Sequence, residues 1–554
     1  MDLGPATQRP AEPSTSGTAF PEAGSAATRL PGVTTAASHR VSRSARLRFP
    51  GRWPLTVVLI VQTLLSVRLV RADTAFEDEA AYLWAGHLEW AHLLHGTPVP
   101  PFPSYFSGSP LIYPPLGALA DSVGGLTGAR ILSLVFMLGA TVTLWSITTR
   151  LHGQRAAFFA TALFAVLGPT LHLGSFATYD AMSLFLLALA AWLVVRAGDR
   201  QDATVWMLAA GVTLAVANAT SYSSALFDPV VILLALTIAF PKPGGKLAAG
   251  RAMTLLAIVA LLVTLGLVLG GSRYLHGVKS TTVARVGGTQ TMLSVLASSW
   301  TWIAVIVVAA LGGVIVSWVS RPERAQAWRL TLLAAAALLV PLEQASRHTN
   351  ASLNKHVDLG AWFAAIAAGY ALDKFIAAAP AGNMRAITGG ACVVALSFPV
   401  SLGAGQSQVF SNSWPNSSAF IAILRPLADH ETGRLLVEDP SIAEYYLHVN
   451  GNQWQQWSST RNIILPGGTP TGGPSEKAGI VGSGNAGTFA MYIKEGYFSL
   501  VALSFSDTVS LDKSINADLT RNHRYHVSQI VPYGAVPAGP ELGTYKIWLY
   551  EPPS

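Results

Sequence analysis

The stretch "TAFEDEAAYLWAGHLEW", Thr74–Trp90, places three consecutive carboxylates directly after the first long apolar segment of the chain. The acids are Glu77, Asp78 and Glu79, and an aromatic hydroxyl, Tyr82, follows within one turn. Ionisable groups are costly to place in or against a bilayer, and those found there are typically functional. The position of these acids relative to the apolar segments therefore decides both the fold and the place of a site.

The composition is that of a membrane protein. Of the 554 residues, 51% are hydrophobic and 12% are charged, and the mean hydropathy is +0.42, which predicts a polytopic α-helical chain. The single cysteine, Cys392, excludes an internal disulfide framework and a cysteine metal site. The net charge of +7 comes from basic residues dispersed in short loops, a distribution typical of membrane topology signals, so no nucleic-acid partner is expected.

The chain divides into three regions. Residues 1–50 are rich in Pro, Ser, Thr, Ala and Gly and end in an arginine cluster, which predicts a disordered cytoplasmic tail. Residues 51–403 carry the apolar segments. In residues 404–554 the apolar density falls, and short runs bounded by Gly, Pro and Asn predict a soluble α/β domain.

Apolar segments long enough to approach a membrane span recur about eleven times. A helix needs roughly 17 to 25 apolar residues to cross the hydrocarbon. The expected spans lie near residues 55–70, 129–149, 156–173, 181–196, 203–218, 225–240, 252–271, 297–318, 330–343, 357–378 and 386–403. An odd number of spans places the two termini on opposite sides of the membrane.

Basic residues recur in alternate loops, which predicts the orientation. These residues are Arg150 with Arg155, Arg196 with Arg200, Lys242 with Lys246 and Arg251, Arg321 with Arg324 and Arg329, and Lys374 with Arg385. The N-terminus is therefore expected in the cytoplasm, and residues 404–554 outside. The acidic stretch falls in the first outside loop, residues 71–128, and Ala, Gly and Arg richness favours a bacterial plasma membrane.

Two other outside loops carry basic residues against this rule. They are Arg273, Lys279 and Arg285 in one loop, and Arg347, His348, Lys355 and His356 in the other. Side chains that reach for lipid headgroups explain any single one of them. Two such loops opposite an acidic stretch better suit an anionic ligand.

The location of these acidic and basic residues outside the cell limits the group donors that a transferase could use. Nucleotide sugars and ATP are absent there, so a transferase must take its group from a membrane carrier such as a polyprenyl phosphate sugar. Glycosyl transfer needs a carboxylate to accept the proton of the acceptor hydroxyl, and cations to hold the leaving phosphate. The expected partners are this donor, an acceptor outside (protein, glycan or lipid) and membrane lipids.

Three motifs follow one another in the chain. They are "EDEAAY", Glu77–Tyr82; "YPPLGAL", Tyr113–Leu119; and the segment Gly128–Trp192, which has Arg130 at its start and contains Asp180. In this order they resemble the GT-C superfamily of membrane glycosyltransferases, particularly the protein O-mannosyltransferases and the lipid A aminoarabinose transferases. The first is similar to the Asp-Glu motif that opens their first outside loop, the second to their Pro-Pro-Leu element, and the third to their second to fourth helices, with Asp180 at the mouth of the fourth.

The resemblance covers residues 55–240 well and the later helices in outline. It implies a GT-C fold and an inverting transferase in which Asp78 is the base. It further implies that Glu79 and Asp180 are catalytic with it, complete the acidic wall and shape the site or bind the acceptor. Tyr82, Tyr113 and Arg130 are expected to line or support the cavity.

The chain also departs from the family pattern. Tyr113 stands where Lys or His often precedes the Pro-Pro pair, and Thr220 and Ser221 stand where a lysine is common. Phosphate binding must therefore be redistributed. The expected phosphate ligands are Arg285, Lys355 and His356, with Arg347 and Lys279 as further members.

A metal requirement is left open, because some GT-C enzymes use one and others do not. No cofactor is certain. A divalent cation, Mg, Mn or Ca, would be expected on Asp78 and Asp180. Glu89 and His92 lie three residues apart, which also suits a metal, although an amphipathic surface helix is the favoured interpretation.

Two alternatives come from other functional classes. A secondary transporter or lipid flippase would carry charges near the middle of its spans, and segments 129–149, 252–271 and 297–318 carry almost none except at their ends. A transferase fold that serves as an inactive scaffold for cell-wall assembly stays open because of the two replaced cations.

Overall fold

The computed structural model describes residues 53–198, 203–239, 245–285, 287–320, 324–431, 433–449, 453–460, 463–464, 480–481, 486–506, 508–532 and 543–552. The expected tail, residues 1–50, lies outside the described residues.

Helices form the apolar part of the chain. They are α1 (Trp53–Val70), α2 (Glu77–His95), α3 (Tyr113–His152), α4 (Gln154–Ala165), α5 (Gly168–Leu173), α6 (Tyr179–Ala197), α7 (Ala203–Thr220), α8 (Asp228–Ala239), α9 (Gly245–Thr281), α10 (Met292–Val319), α11 (Arg324–Ala335), α12 (Leu339–Ser346), α13 (Leu353–Ala378), α14 (Asn383–Ala395) and α15 (Ser397–Ser411). The predicted polytopic helical fold is confirmed.

Within the described residues, nine helices or joined helix pairs are long and apolar enough to cross a membrane, where the sequence predicted about eleven. The two segments that fall short are residues 156–173, which form α4 and α5, and residues 225–240, which contain α8. The first of them is divided near Gly168 and Pro169, because proline lacks the amide hydrogen that would continue the helix.

Two long helices are divided by glycines. Gly125 within α3 has φ +60° and Gly271 within α9 has φ +72°, a conformation that glycine adopts without steric cost. The part of α3 before the break belongs to the loop predicted over residues 71–128. The break therefore separates a helical wall of this loop from the membrane-spanning part.

Helix α13 lies at the centre of the bundle and packs closely on α10 and α4. A Cβ on Gly313 of α10 would lie 2.2 Å from the carbonyl oxygen of Ala367, and one on Gly369 would lie 2.3 Å from that of Ala156. Small residues let membrane helices approach until their backbones touch. This packing fixes the position of α13, whose first turn carries Lys355 and His356.

The C-terminal part forms a small α/β domain, as predicted. Its elements are α16 (Ser418–His430), β1 (Arg434–Val437), α17 (Pro440–Tyr446), β2 (Trp457–Ser458), β3 (Ile463–Ile464), β4 (Ile480–Val481), α18 (Ala486–Glu495), β5 (Phe498–Leu503), α19 (Val509–Arg521), β6 (Tyr525–Pro532) and β7 (Thr544–Tyr550). The main sheet has the order β2-β1-β5-β7-β6, parallel from β2 to β5 and antiparallel beyond, and β3 pairs with β4.

Helix α17 docks this domain on α2. The hydroxyl of Tyr446 accepts a hydrogen bond from the amide of Ala75 at 2.8 Å, and the indole of Trp84 donates to the carbonyl of Val449 at 2.8 Å. The sheet domain therefore lies against the acidic stretch.

Candidate active site

The three acids form the first turn of α2, where negative charge is favourable beside the helix N-terminus. Asp78 and Lys355 form an ion pair there, with Oδ2 and Nζ 2.6 Å apart. The side chain of Asp78 is 29% exposed and that of Lys355 is 8% exposed. The two predicted site residues are 277 positions apart in the chain, so the tertiary fold brings them together.

A second carboxylate lies behind this pair. Asp180 Oδ2 is 3.3 Å from Lys355 Nζ, and its Oδ1 is 3.4 Å from His356 Nε2. Thr178 donates a hydrogen bond to Asp180 at 3.0 Å, and the ring of Phe176 lies 5.7 Å from the ammonium. Asp180 is buried, so its charge holds Lys355 and His356 in place.

The first cavity beside these residues has a volume of about 660 Å³. Its described lining consists of Phe76, Glu77, Asp78, Tyr82, Tyr105, Ser107, His172, Phe176, Tyr179, Arg285, Asn350, Ala351, Ser352, Asn354, Lys355, His356, Phe410, Ser413 and Trp414. Three of the predicted cations, Arg285, Lys355 and His356, thus share one space with the carboxylate of Asp78.

A second cavity, of about 240 Å³, lies between α2 and the sheet domain. It shares Glu77, Asp78, Tyr82 and Tyr105 with the first cavity. Burial and the nearby carboxylate of Asp78 raise the pKa of Tyr82 well above its usual value, so its hydroxyl stays protonated. Asp78 therefore stands in a wall that faces two separate spaces.

A third cavity, also of about 240 Å³, adjoins the first through Ser107, Arg285 and His356. Arg347 lines it, forms an ion pair with Glu343 and donates to the carbonyl of Thr282 at 2.8 Å. The structure thus places Arg347 one cavity away from Asp78.

Lys279, also predicted as a phosphate ligand, is an exposed residue at the end of α9. It is outside the described lining of all three cavities.

Glu79 does not line any of these cavities, although it neighbours Asp78. It is fully buried, and its carboxylate oxygens accept hydrogen bonds from Arg130 at 2.7 and 2.6 Å. The amides of Phe76 and Ala177 also donate to it. All of these contacts lie inside the protein, so we assign Glu79 to holding the fold and not to the acidic wall predicted from the sequence.

Arg130 completes this internal contact, since its guanidinium also donates to the carbonyls of Val70, Asp73 and Thr74. Tyr113 is likewise fully buried in the core. Of the three residues predicted as cavity wall, Tyr82 lines the cavities, and Arg130 and Tyr113 lie behind them.

The arrangement of Asp78 and Asp180 does not suit a divalent cation. The ammonium of Lys355 already contacts both carboxylates, at 2.6 and 3.3 Å, and supplies the positive charge that a metal would bring. Among the described residues, no group of three or more His, Cys, Asp or Glu side chains is placed to hold a metal, and this includes Glu89 with His92.

Sequence reasoning missed two residues of this region. Tyr105 is 43% exposed and lies between the first two cavities, and Glu444 of α17 lines the second. Tyr105 belongs to the Pro-rich stretch "PPFPSYFSGSPLIYPPL", which is expected from the sequence to wall off the cavity, but the pattern does not single out this residue. Glu444 has no signal in the sequence, because its position depends on how the sheet domain docks.

Comparisons with known proteins agree with this architecture. The family model for dolichyl-phosphate-mannose-protein mannosyltransferase matches residues 118–269. No curated protein matches the chain in sequence.

Three solved structures share the fold. ArnT from Cupriavidus metallidurans bound to undecaprenyl phosphate has 14% identity and a TM-score of 0.55, with 89% of this chain and 97% of that chain covered. The oligosaccharyltransferase AglB from Archaeoglobus fulgidus, in complex with an inhibitory peptide and a dolichol-phosphate, has 13% identity and a TM-score of 0.54, covering 90% and 74%. The Archaeoglobus fulgidus oligosaccharyltransferase in complex with Zn and sulfate has 13% identity and a TM-score of 0.53, covering 87% and 72%.

The helical bundle, its acid–base cavity and the small sheet domain define a membrane protein with the GT-C fold. The family match over residues 118–269 agrees with this fold, which the sequence motifs predicted.

Proposed function

We propose that this protein transfers a sugar from a polyprenyl-phosphate-linked donor to an acceptor hydroxyl on the outer side of the membrane. The observation that carries the proposal is the position of Asp78, whose carboxylate faces two cavities and is paired with Lys355. A transferase needs such a group between its two substrates.

The first cavity takes the donor. Arg285, Lys355 and His356 line it, and preorganised cations stabilise the negative charge that grows on a leaving phosphate. The undecaprenyl phosphate of the ArnT structure and the dolichol-phosphate of the AglB structure support a lipid phosphate as the donor's carrier.

Asp78 is the general base. The acceptor oxygen forms a bond to the anomeric carbon, and the hydroxyl proton passes to the Asp78 carboxylate. The bond from the anomeric carbon to the phosphate oxygen breaks, and its electron pair stays on the polyprenyl phosphate. Attack from the face opposite the phosphate inverts the anomeric configuration. Lys355 holds Asp78 before the donor enters and then contacts the phosphate.

Transfer by the purified full-length protein from a panel of synthetic polyprenyl phosphate sugars tests this function. We expect Asp78→Asn to lower the rate by about 10² to 10⁴, the usual contribution of a general base. The matched control is Asp429→Asn, which makes the same chemical change at an exposed position of α16 outside the cavities.

Equal activity of the Asp78 variant and wild type would contradict the role of this carboxylate. Proton-coupled uptake into liposomes, without sugar transfer or donor hydrolysis, would instead favour the transporter alternative.

A further inference from the structure

The second cavity differs in chemistry from the first. Its described lining contains five acids and no Lys, Arg or His. These acids are Glu77, Asp78, Glu438, Asp439 and Glu444. An anionic ligand, such as a phosphorylated or uronic acid acceptor, would meet carboxyl groups there and no positively charged side chain of the described lining.

Most of this negative charge is already engaged by the protein. Glu438 accepts hydrogen bonds from the amides of Ser504 and Thr508, each at 2.9 Å. Asp439 accepts from the amide of Ser441 at 2.8 Å and so caps α17. Because these carboxylates are held by backbone donors, fewer of their oxygens are available to coordinate a cation.

Glu444 is the exception. It is 5% exposed and lines the second cavity, and its carboxyl has no hydrogen-bond or ion-pair partner among the described residues. Burial, and then the nearby Asp439, raise the pKa of Glu444 well above its usual value. A protonated carboxyl both donates and accepts hydrogen bonds, which is the pattern that a sugar hydroxyl satisfies.

The rest of the lining suits the same ligand. Tyr82, Tyr105 and Ser441 bring hydroxyl groups, and Trp454 and Trp457 bring aromatic surface. Aromatic side chains with a polar edge combine apolar contact with hydrogen bonding. The volume of about 240 Å³ is below the roughly 300 to 1,000 Å³ typical of sites for drug-sized ligands. The cavity therefore fits one end of an acceptor.

We infer that the second cavity binds an uncharged sugar at the end of the acceptor, with Glu444 as its buried anchor and Asp78 at the shared wall. This inference rests on the proposed function and narrows it, because it makes the acceptor a neutral glycan or a lipid with a neutral sugar head.

Ligand-observed NMR on the full-length protein in detergent tests this with three probe classes. These are uncharged disaccharides (mannobiose, galactobiose and cellobiose), the cationic glucosamine disaccharide and the anionic galacturonic acid disaccharide. We expect at least one uncharged probe to bind more tightly than both charged ones.

Two variants separate hydrogen bonding from charge at the anchor. Glu444→Leu should weaken binding about tenfold, the effect of losing a buried hydrogen-bonding partner. Glu444→Gln keeps an uncharged donor and acceptor, so its affinity should stay within about twofold of wild type. Tighter binding of the cationic probe that is lost in Glu444→Gln would overturn the inference, as would no binding of any uncharged probe.

Binding of undecaprenyl phosphate, measured on the same samples, should be unchanged in both variants. Lipid binding without sugar binding overturns this inference alone, and sugar binding without lipid binding contradicts the proposed function.

Discussion

At the scale of single residues, Lys355 is a buried charge that depends on two carboxylates for compensation. Its ammonium contacts Asp78 and Asp180, and the side chain is 8% exposed. Burying a charge is tolerable only when partners of opposite sign compensate it. Lys355 also lines the cavity that we assign to the donor phosphate. The same residue therefore contributes both to the stability of the site and to phosphate binding.

Lys355→Gln should lower sugar transfer about a hundredfold, since a preorganised charge partner is worth about 3 kcal/mol in the transition state. The control is Lys374→Gln, which removes the ammonium near the other end of the same helix. Initial rates over a range of donor concentrations are the measurement.

Lys355→Gln also leaves Asp180 with less compensation, so thermal unfolding must be followed on the same preparations. Lys355→Gln combined with Asp180→Asn removes both charges and should recover stability without recovering transfer. Recovery of transfer in the double variant would show that Lys355 acts only on the fold.

At the scale of elements, helix α13 decides where the cations lie. Its centre is lined by Ala and Gly, and residues 355–370 are buried along its length. At some positions the helices approach so closely that an added methyl group would have no room. At other positions there is space for one. Adjacent glycines of α10 show both cases.

Gly313→Ala should destabilise the bundle by about 1 to 3 kcal/mol, the usual cost of overpacking. A Cβ there would lie 2.2 Å from the carbonyl oxygen of Ala367, whereas the nearest atom to a Cβ on Gly312 is 3.8 Å away. Gly312→Ala is therefore the matched control and should be neutral or stabilising by up to about 1 kcal/mol. Thermal unfolding followed by tryptophan fluorescence compares them, and equal midpoints would refute the packing argument.

At the scale of the whole molecule, the contact of Glu79 with Arg130 joins distant parts of the chain. Arg130 of α3 donates hydrogen bonds to the carbonyls of Val70, at the end of α1, and Thr74, just before α2. Glu79 accepts a hydrogen bond from the amide of Ala177, just before α6. Asp78 is the residue just before Glu79 in the chain, so this contact also sets the direction of the base.

Glu79→Gln should cost about 3 to 5 kcal/mol of stability, because it leaves the buried guanidinium of Arg130 uncompensated. Glu495→Gln, at an exposed end of α18, makes the same change as a control. The unfolding midpoint in detergent should fall for the first variant only. Full stability together with lost transfer would show instead that Glu79 acts in the reaction.

The sequence predicted the GT-C fold, the helical bundle and the α/β domain, and it selected Asp78, Lys355 and His356 as members of one site. These predictions rest on local features: apolar length, the order of motifs and basic residues that break the orientation rule. The same features did not separate Lys279 from Lys355, since both are cations in predicted outside loops. Their difference is one of burial and direction, which no short stretch of sequence contains.

The sequence by itself determined that the chain lies in a membrane and which ionisable groups it carries. Both follow from local composition, because the length of an apolar segment and the identity of a side chain do not depend on the tertiary fold. The tertiary structure decided which charges meet. Glu77, Asp78 and Glu79 are neighbours in sequence, yet a helix turns each side chain by about 100° from the last, so Glu79 enters the core and Asp78 faces the cavities. That division depends on the surfaces that α3 and α17 of the sheet domain bring against α2, and α17 lies more than three hundred positions away in the chain.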